Sequence, residues 1–294
     1  MNDQDKIRQL GQYPTPALND QDKIRQLGQY PTPAWAAEQL VERYFGDLGR
    51  DDLVIEPACG PGAFLGAIPT DVPAIGVEID PLAAECARVA TGREVITGDF
   101  CTVDLEARPT AIIGNPPFKL ALVDKFLARA HALLPEGGRV GFLLPAYAFQ
   151  TASRVVDYNQ RWTIAQELVP RNVFDGLRLP LVFALFHKER HRRLLGFALF
   201  HETVAVHRMQ DDYQFVLKQG SGPIWRKVIE LALRRLGGEA SLADIYEELQ
   251  RNRPTDTRWW REKIRQTLRR YAEVFVVKGE GRYALSASPN CTGA

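Results

Sequence analysis

The period of apolar and polar positions changes twice along the chain. Ala37, Leu40, Val41, Tyr44 and Phe45 recur at three- and four-residue intervals, the stripe of an amphipathic helix. Thr32 is expected as its N-cap and Pro33 as its first helical residue. From Asp51 onward the pattern breaks into short apolar runs: LVIEPA (53–58), AIGVEI (74–79), REVIT (93–97), TAIIG (110–114) and RVGFLLP (139–145). These read as strands, with helical stretches at 81–90 and 120–134 between some of them. Near-continuous apolar strands alternating with helices imply an α/β fold, a parallel sheet covered on both faces. QELVPR (166–171), LVFALFH (181–187) and LLGFALFHETVAVHRM (194–209) extend the strand reading.

After GSGP (220–223), which reads as a linker, the helical period returns. Ile224, Val228 and Leu231 mark one helix. Ser241 and Asp244 form a capping-box signature for a second, with Leu242, Ile245 and Leu249 facing inward. Trp260, Ile264, Leu268 and Tyr271 stripe a third, and FVVKGEGRYAL (275–285) has a hairpin signature with Gly279 and Gly281 in its turn. Together they predict a small C-terminal winged-helix domain over residues 221–294, following an α/β domain over 19–220.

Residues 1–18 stand apart. NDQDKIRQLGQYPTPA runs from Asn2 to Ala17 and returns unchanged from Asn19 to Ala34. Two perfect copies are not a solenoid, which needs about three units to bury a core. Only the second copy continues into the helical stripe. The first is expected to be a spare tandem duplicate.

Charge alters the picture at the C-terminal end. The totals nearly cancel, 37 Lys+Arg against 36 Asp+Glu, but residues 221–285 hold 14 against 9, a local +5. A basic module on a mildly acidic body implies a polyanionic partner at one end. Arg258, Arg261, Arg265 and Arg269 share one face of the third helix, and Lys278 and Arg282 flank the hairpin turn. All six are expected to contact double-stranded DNA, the helix in the major groove. No run approaches the roughly 18 apolar residues of a membrane span, and no signal-peptide segment opens the chain. Cys59, Cys86, Cys101 and Cys291 show no CxxC pair, and the five histidines show no ligand spacing. A reducing cytoplasm with nucleoid association, and no metal, is expected.

The candidate chemistry lies at the ends of the predicted strands. VIEPACGPGAF (54–64) ends a strand, turns at Gly60 and Gly62, and enters a helix, which lets a ligand approach the backbone closely. Glu78, at the end of the second strand, is placed to accept hydrogen bonds from a ribose. Asp99 and Phe100 close the third strand with an acceptor for an adenine amine and an apolar wall. No Gly-Lys-Ser/Thr follows the turn, so a nucleoside cofactor is favoured over a nucleoside triphosphate. The fourth strand ends in Asn115-Pro116-Pro117-Phe118. The prolines carry no N–H and cannot continue a central strand, so the motif sits at the strand's carboxyl end, where the ligand crevice of such sheets lies. An aryl amine is a weak nucleophile because its lone pair is delocalised. The Asn115 oxygen and the Pro116 carbonyl can accept both amine hydrogens and free that lone pair to attack a methyl sulfonium, while Phe118 stacks on the base.

These motifs, in this order over residues 28–190, resemble the S-adenosylmethionine-dependent amino-methyltransferases of DNA, especially the N6-adenine enzymes of the γ arrangement. The resemblance implies a Rossmann-like methyltransferase sheet with helices on both faces. It also implies S-adenosylmethionine as cofactor and site-specific methyl transfer to an adenine flipped out of double-stranded DNA. Tyr30, Thr32 and Pro33 would then cradle the methionine end, with Glu56, Pro57, Cys59, Gly60 and Asn115 lining the cofactor. Glu78 would hold the ribose, and Ile79, Asp99 and Phe100 the adenine. Asn115, Pro116, Pro117 and Phe118 would form the catalytic motif, with Phe174 sandwiching the flipped base. Related motifs also serve enzymes acting on RNA adenines or on protein glutamine, and a catalytically idle DNA-binding regulator is a third class. The basic module disfavours a protein substrate, and intact Asn115, Asp99 and Glu78 disfavour idleness. A palindromic site would be matched by a homodimer. The sequence shows no nuclease-like acidic and lysine cluster, so this chain is not expected to cut DNA; a solitary enzyme and one with an endonuclease partner in a restriction-modification pair both stay open.

Overall fold

The structure, a computed structural model, describes residues 31–106, 108–174, 177–218 and 223–286. The duplicated segment 1–18 and Tyr30 lie outside the described residues. Helix α1 (Ala34–Phe45) is followed by β1 (Val54–Pro57), α2 (Ala63–Ala67), β2 (Ala74–Glu78), α3 (Pro81–Thr91) and β3 (Glu94–Thr97). Then come β4 (Ala111–Gly114), α4 (Leu120–Leu133), β5 (Arg139–Pro145), α5 (Ala152–Asn159), β6 (Thr163–Val169), β7 (Leu181–His187) and β8 (Leu194–Leu195). The strands form one sheet in the order β3-β2-β1-β4-β5-β7-β6-β8.

Strands β1 to β5 are mutually parallel, as the alternation implies, but β7 runs antiparallel to both β5 and β6. The sheet is therefore mixed rather than wholly parallel. A parallel neighbour needs a crossover of about a dozen or more residues, usually a helix. Between β6 and β7 the described chain holds only the 3₁₀ turn Arg171–Val173, so it returns as a hairpin. Every residue of β1 and β4 is buried. The chain moves outward from β1 to β3, then restarts on the other side of β1 with β4. That reversal opens a crevice at the carboxyl ends of β1 and β4.

Helix α1 lies close on this sheet. Phe45 is fully buried, and a Cβ at Gly141 in β5 would fall 2.5 Å from its ring. Only glycine permits that approach. The helix starts at Ala34 with Pro33 as N-cap and no side-chain capping bond, so Thr32 is not the cap that its position suggests.

The chain divides into two compact units, Met1–Thr151 with Asp157–Gly196, and Ala152–Val156 with Phe197–Ala294. The strand expected over 194–209 is not one. After β8, Gly196 and Leu199 adopt positive φ (83° and 66°), which ends extended pairing, and α6 (Phe200–His207) follows. Val204 and Ala205 are its buried positions.

The second unit continues with α7 (Asp211–Lys218), α8 (Ile224–Arg235), β9 (Glu239–Ser241), α9 (Leu242–Leu249), α10 (Trp260–Arg270), β10 (Phe275–Gly279) and β11 (Arg282–Leu285). Its antiparallel sheet has the order β10-β11-β9. Helix α7, which the sequence assigns to the first domain, packs its fully buried Tyr213 among Val228, Leu233, Ile245 and Ile264 of this unit. The Ser241–Asp244 capping box forms as expected. Among the described residues, no helix is long and apolar enough to cross a membrane.

Candidate active site

Beyond β1 the chain bends through Ala58, Gly60 and Gly62, all at positive φ (53°, 53° and 89°). A Cβ on Gly62 would meet Thr91 Cγ2 at 2.9 Å, because the start of α2 is pressed against α3. A Cβ on Gly60 would meet nothing within 4 Å: its backbone faces open space.

Two buried carboxylates brace this turn. Glu56, 2% exposed, accepts the Leu65 N–H at 2.6 Å. Glu78, 4% exposed, accepts the Gly60 N–H at 2.8 Å and the Asp80 N–H at 2.9 Å, one on each oxygen. Burial pushes the Glu56 carboxyl well above its usual range; the Leu65 and Phe64 N–H groups counteract this in part, and nearby Glu78 adds to it. Burial, reinforced by Glu56 and Glu78, also pushes the Cys59 thiol up, so it is a neutral, apolar piece of wall.

Asn115 follows directly on β4 and turns toward the segment leading into α1. Its Nδ2 donates to Thr32 Oγ1 at 3.1 Å. The resulting cleft, about 260 Å³, is lined by Thr32, Glu56, Cys59, Gly60, Glu78, Ile79, Asn115 and Pro117 of the expected set. Asp80 and Ala83 line it too, and sequence reasoning missed them. The signal was present: Asp80-Pro81 is a cap followed by proline, and Asp80 indeed accepts the Leu82 N–H at 2.8 Å, which puts the start of α3 on the cleft.

The other expected residues do not line this cleft. Pro33, Pro57 and Pro116 are neighbours in sequence of residues that do line it. Phe118 is 6% exposed, its ring in the apolar core and its carbonyl accepting the Tyr147 hydroxyl at 2.6 Å. Asp99 is exposed and accepts the Cys101 N–H, whereas Phe100 is buried against Phe126, ring centroids 5.0 Å apart. Phe174 lines a separate cavity of about 320 Å³, together with Trp35, Tyr44, Leu143 and Phe183.

The cleft suits a nucleoside. Gly60 leaves its backbone approachable, and each Glu78 oxygen keeps a lone pair for a sugar hydroxyl. Ile79, 65% exposed at the end of β2, offers an apolar face to a planar ring.

On the second unit, Arg258, Arg261, Arg269, Lys278 and Arg282 are exposed, while Arg265 is half-buried and paired with Glu262. Arg258 lies over the exposed Trp259 ring at 4.7 Å, and Arg282 pairs with Glu239 at 2.8 Å. The expected basic face is thus presented to solvent at α10 and the β10–β11 hairpin.

No family model matches the chain. Over 68 residues it is 43% identical to the type II methyltransferase M.CvrRI of Paramecium bursaria Chlorella virus XZ-6E, a stretch covering 22% of this chain and 18% of that protein. The chain thus matches less than a fifth of the length of that curated relative. Among solved structures, it is similar to a Listeria monocytogenes protein described as a class I S-adenosylmethionine-dependent methyltransferase (TM-score 0.47, 17% identity, 55% of this chain and 64% of the other). It is similar also to the M protein of the type I restriction enzyme EcoKI (TM-score 0.47, 17% identity, 54% and 44%). A candidate RNA methyltransferase from Pyrococcus horikoshii gives a TM-score of 0.44 at 20% identity, over 66% and 100%. In its strand order, its reversed β7 and the crevice where the order turns back, the first unit has a Rossmann-like α/β fold.

Proposed function

We propose that the chain transfers a methyl group from S-adenosylmethionine to the N6 amine of an adenine flipped out of double-stranded DNA, at a specific site. The observation that carries this reading is the position of Asn115. Its carboxamide, followed by two prolines, lines the same cleft as Glu78 and the glycine turn. A cofactor site and a group able to accept amine hydrogens therefore adjoin.

Glu78 would hold the ribose, with Ile79 against the adenine ring and Cys59 and Gly60 along the walls. Asp99 and Phe100 would close the adenine end, and Tyr30, Thr32 and Pro33 the methionine end. The cofactor supplies an electrophilic methyl group on sulfur. Asn115 Oδ1 and the Pro116 carbonyl accept the hydrogens of the target amine and draw its lone pair out of the ring. So held, the amine nitrogen would be able to receive the methyl group that the cofactor supplies, with its surplus proton passing to water. Phe118 and Phe174, whose rings here lie in the core and at a separate cavity, would have to turn toward the cleft to hold the flipped base between them.

Helices α8, α9 and α10 with the small antiparallel sheet ordered β10-β11-β9 support reading the C-terminal part of the second unit as a winged helix. Helix α10 would enter the major groove, with Lys278 and Arg282 on the wing against phosphates. On a palindrome, two copies would bind, one per strand. The similarity to a type II methyltransferase supports a restriction-modification setting.

The test is incubation of the protein with methyl-labelled S-adenosylmethionine and, separately, duplex DNA, RNA or a protein mixture, followed by mass analysis of the digests. Labelled N6-methyladenine from duplex DNA is expected. Label confined to RNA adenine or to glutamine would overturn the reading.

A further inference from the structure

Thr32 stands one residue before Pro33, the N-cap of α1, and caps nothing. Helix α1 receives no side-chain capping bond. The residue is instead 8% exposed, and its Oγ1 takes the Asn115 Nδ2–H at 3.1 Å across the cleft. A cap is worth about 1 kcal/mol to a helix. The sequence has a suitable threonine and the fold directs it elsewhere.

The torsion that turns an asparagine carboxamide is broad and roughly two-fold, so the side chain by itself does not choose a plane. A neighbour must choose it. We infer that Thr32 is the positioning residue for Asn115: it fixes the carboxamide plane and sets the Nδ2 edge toward Thr32, with Oδ1 on the opposite edge. This rests on the amine-methylating reading above, in which Oδ1 must meet the target amine. An amide turned the other way would present a donor to a donor. A hydroxyl has one proton and two lone pairs, so accepting from Asn115 leaves the Thr32 proton for a second acceptor in the cleft. The two short segments flanking the crevice, the lead into α1 and the end of β4, are thereby tied at the reacting edge. The duplicated sequence sharpens this: Thr15 stands in an identical local sequence, yet Thr32 is the copy followed by the apolar stripe of the helix that packs on β5.

Thr32→Val keeps the shape and removes the acceptor; Thr32→Ser keeps the acceptor. Misplacing a reacting group by about 1 Å can cost on the order of 100-fold, and losing one hydrogen bond costs less, so kcat in Thr32→Val is expected to fall roughly tenfold. The KM for DNA should stay within about twofold, and the rise in the KM for S-adenosylmethionine, whose methionine end Thr32 also borders, should be well below the fall in kcat. Thr32→Ser is expected to recover most of the rate. A second readout needs no activity: the side-chain amide protons of Asn115, identified by their loss in Asn115→Asp, should exchange faster in Thr32→Val and return to slow exchange in Thr32→Ser. Unchanged exchange in Thr32→Val, or a cofactor affinity that falls as much as the rate, would overturn the inference. Failure of the wild-type protein to methylate adenine would sink the proposed reaction, whereas the exchange experiment would still report whether Thr32 holds Asn115.

Discussion

The charges of the cleft and the charges of the basic helix are held in opposite ways. Glu56 and Glu78 are almost wholly buried, and their oxygens take the N–H groups of the turn that they support. The arginines around α10 stand in solvent, resting on rings or on acids of the same surface. In the first region charge is part of the fold, so changing it deforms a ligand site and salt hardly screens the effect. In the second, an exposed ion pair is worth only about 0–1 kcal/mol and can be exchanged for a phosphate. Effects there should be graded and steeply salt-dependent.

The comparison breaks most visibly at Asn115. Removing one preorganised hydrogen-bonding group from a reacting centre costs on the order of 100- to 1,000-fold in kcat. Asn115→Ala should show a loss of that size in single-turnover methylation, with cofactor affinity by calorimetry nearly intact. An equal loss of both would move Asn115 into the cofactor pocket. Next comes Glu78→Gln. The amide can accept from Gly60 or from Asp80, but its NH2 must oppose the other donor. A stranded donor costs about 1–3 kcal/mol, so cofactor Kd should rise roughly 5- to 150-fold. The defect should be the same at low and high salt; a defect cured by low salt would place Glu78 with the screened surface charges.

Much of this cleft was legible because its residues sit at strand ends. LVIEPA and TAIIG hold the wholly buried β1 and β4, AIGVEI the partly buried β2, and their ends mark themselves with Gly60, Asn115 and Glu78. What sequence missed depends on tertiary choice. Nothing local says that the Thr32 hydroxyl will leave α1 for Asn115, since the competing partner lies on β4. Nor does composition distinguish a strand from a helix over 194–209, where apolar residues are dense enough to satisfy either period and two positive-φ residues decide. Phe118 and Phe174 were read as ring partners for a base, and both are packed in the core of this structure. Helix α10 was legible for the opposite reason: Trp260, Ile264 and Leu268 form a sparse stripe on an otherwise charged helix.

Glu56 offers a smaller, pH-dependent test of the buried side. Its folded-state pKa lies above the ordinary glutamate value of 4.5. Its favourable contribution is therefore complete below that value and is lost as pH rises through the folded-state pKa. Glu56→Gln keeps an oxygen for the Leu65 N–H and removes the buried charge. The variant should match the wild type in thermal stability near pH 4 and exceed it increasingly toward pH 8. A gap that stays flat across this range would show that Glu56 folds with no raised pKa.

The smallest effects belong to the arginines, and there the comparison can be sharpened within one helix. Arg261 is exposed and rests over the rings of Tyr246 and Trp260, at 5.5 and 5.2 Å. Arg265 is engaged by Glu262 and reaches the Tyr246 hydroxyl at 3.4 Å. If both meet phosphate, Arg261→Ala should weaken DNA binding severalfold and reduce the salt slope by about one. Arg265→Ala should do less, because its pair with Glu262 must be given up before it can serve DNA. Glu262→Gln then separates the two cases. It releases Arg265 and removes a negative charge facing the duplex, so affinity should rise two- to fivefold, on the order of the exposed-pair energy. In that background Arg265→Ala should cost more than it does in the wild type, a non-additivity expected only of coupled neighbours. Fluorescence anisotropy at several salt concentrations measures all four variants. Additive losses, or a Glu262→Gln variant that binds no more tightly, would mean that Arg265 stays with Glu262 and faces no phosphate.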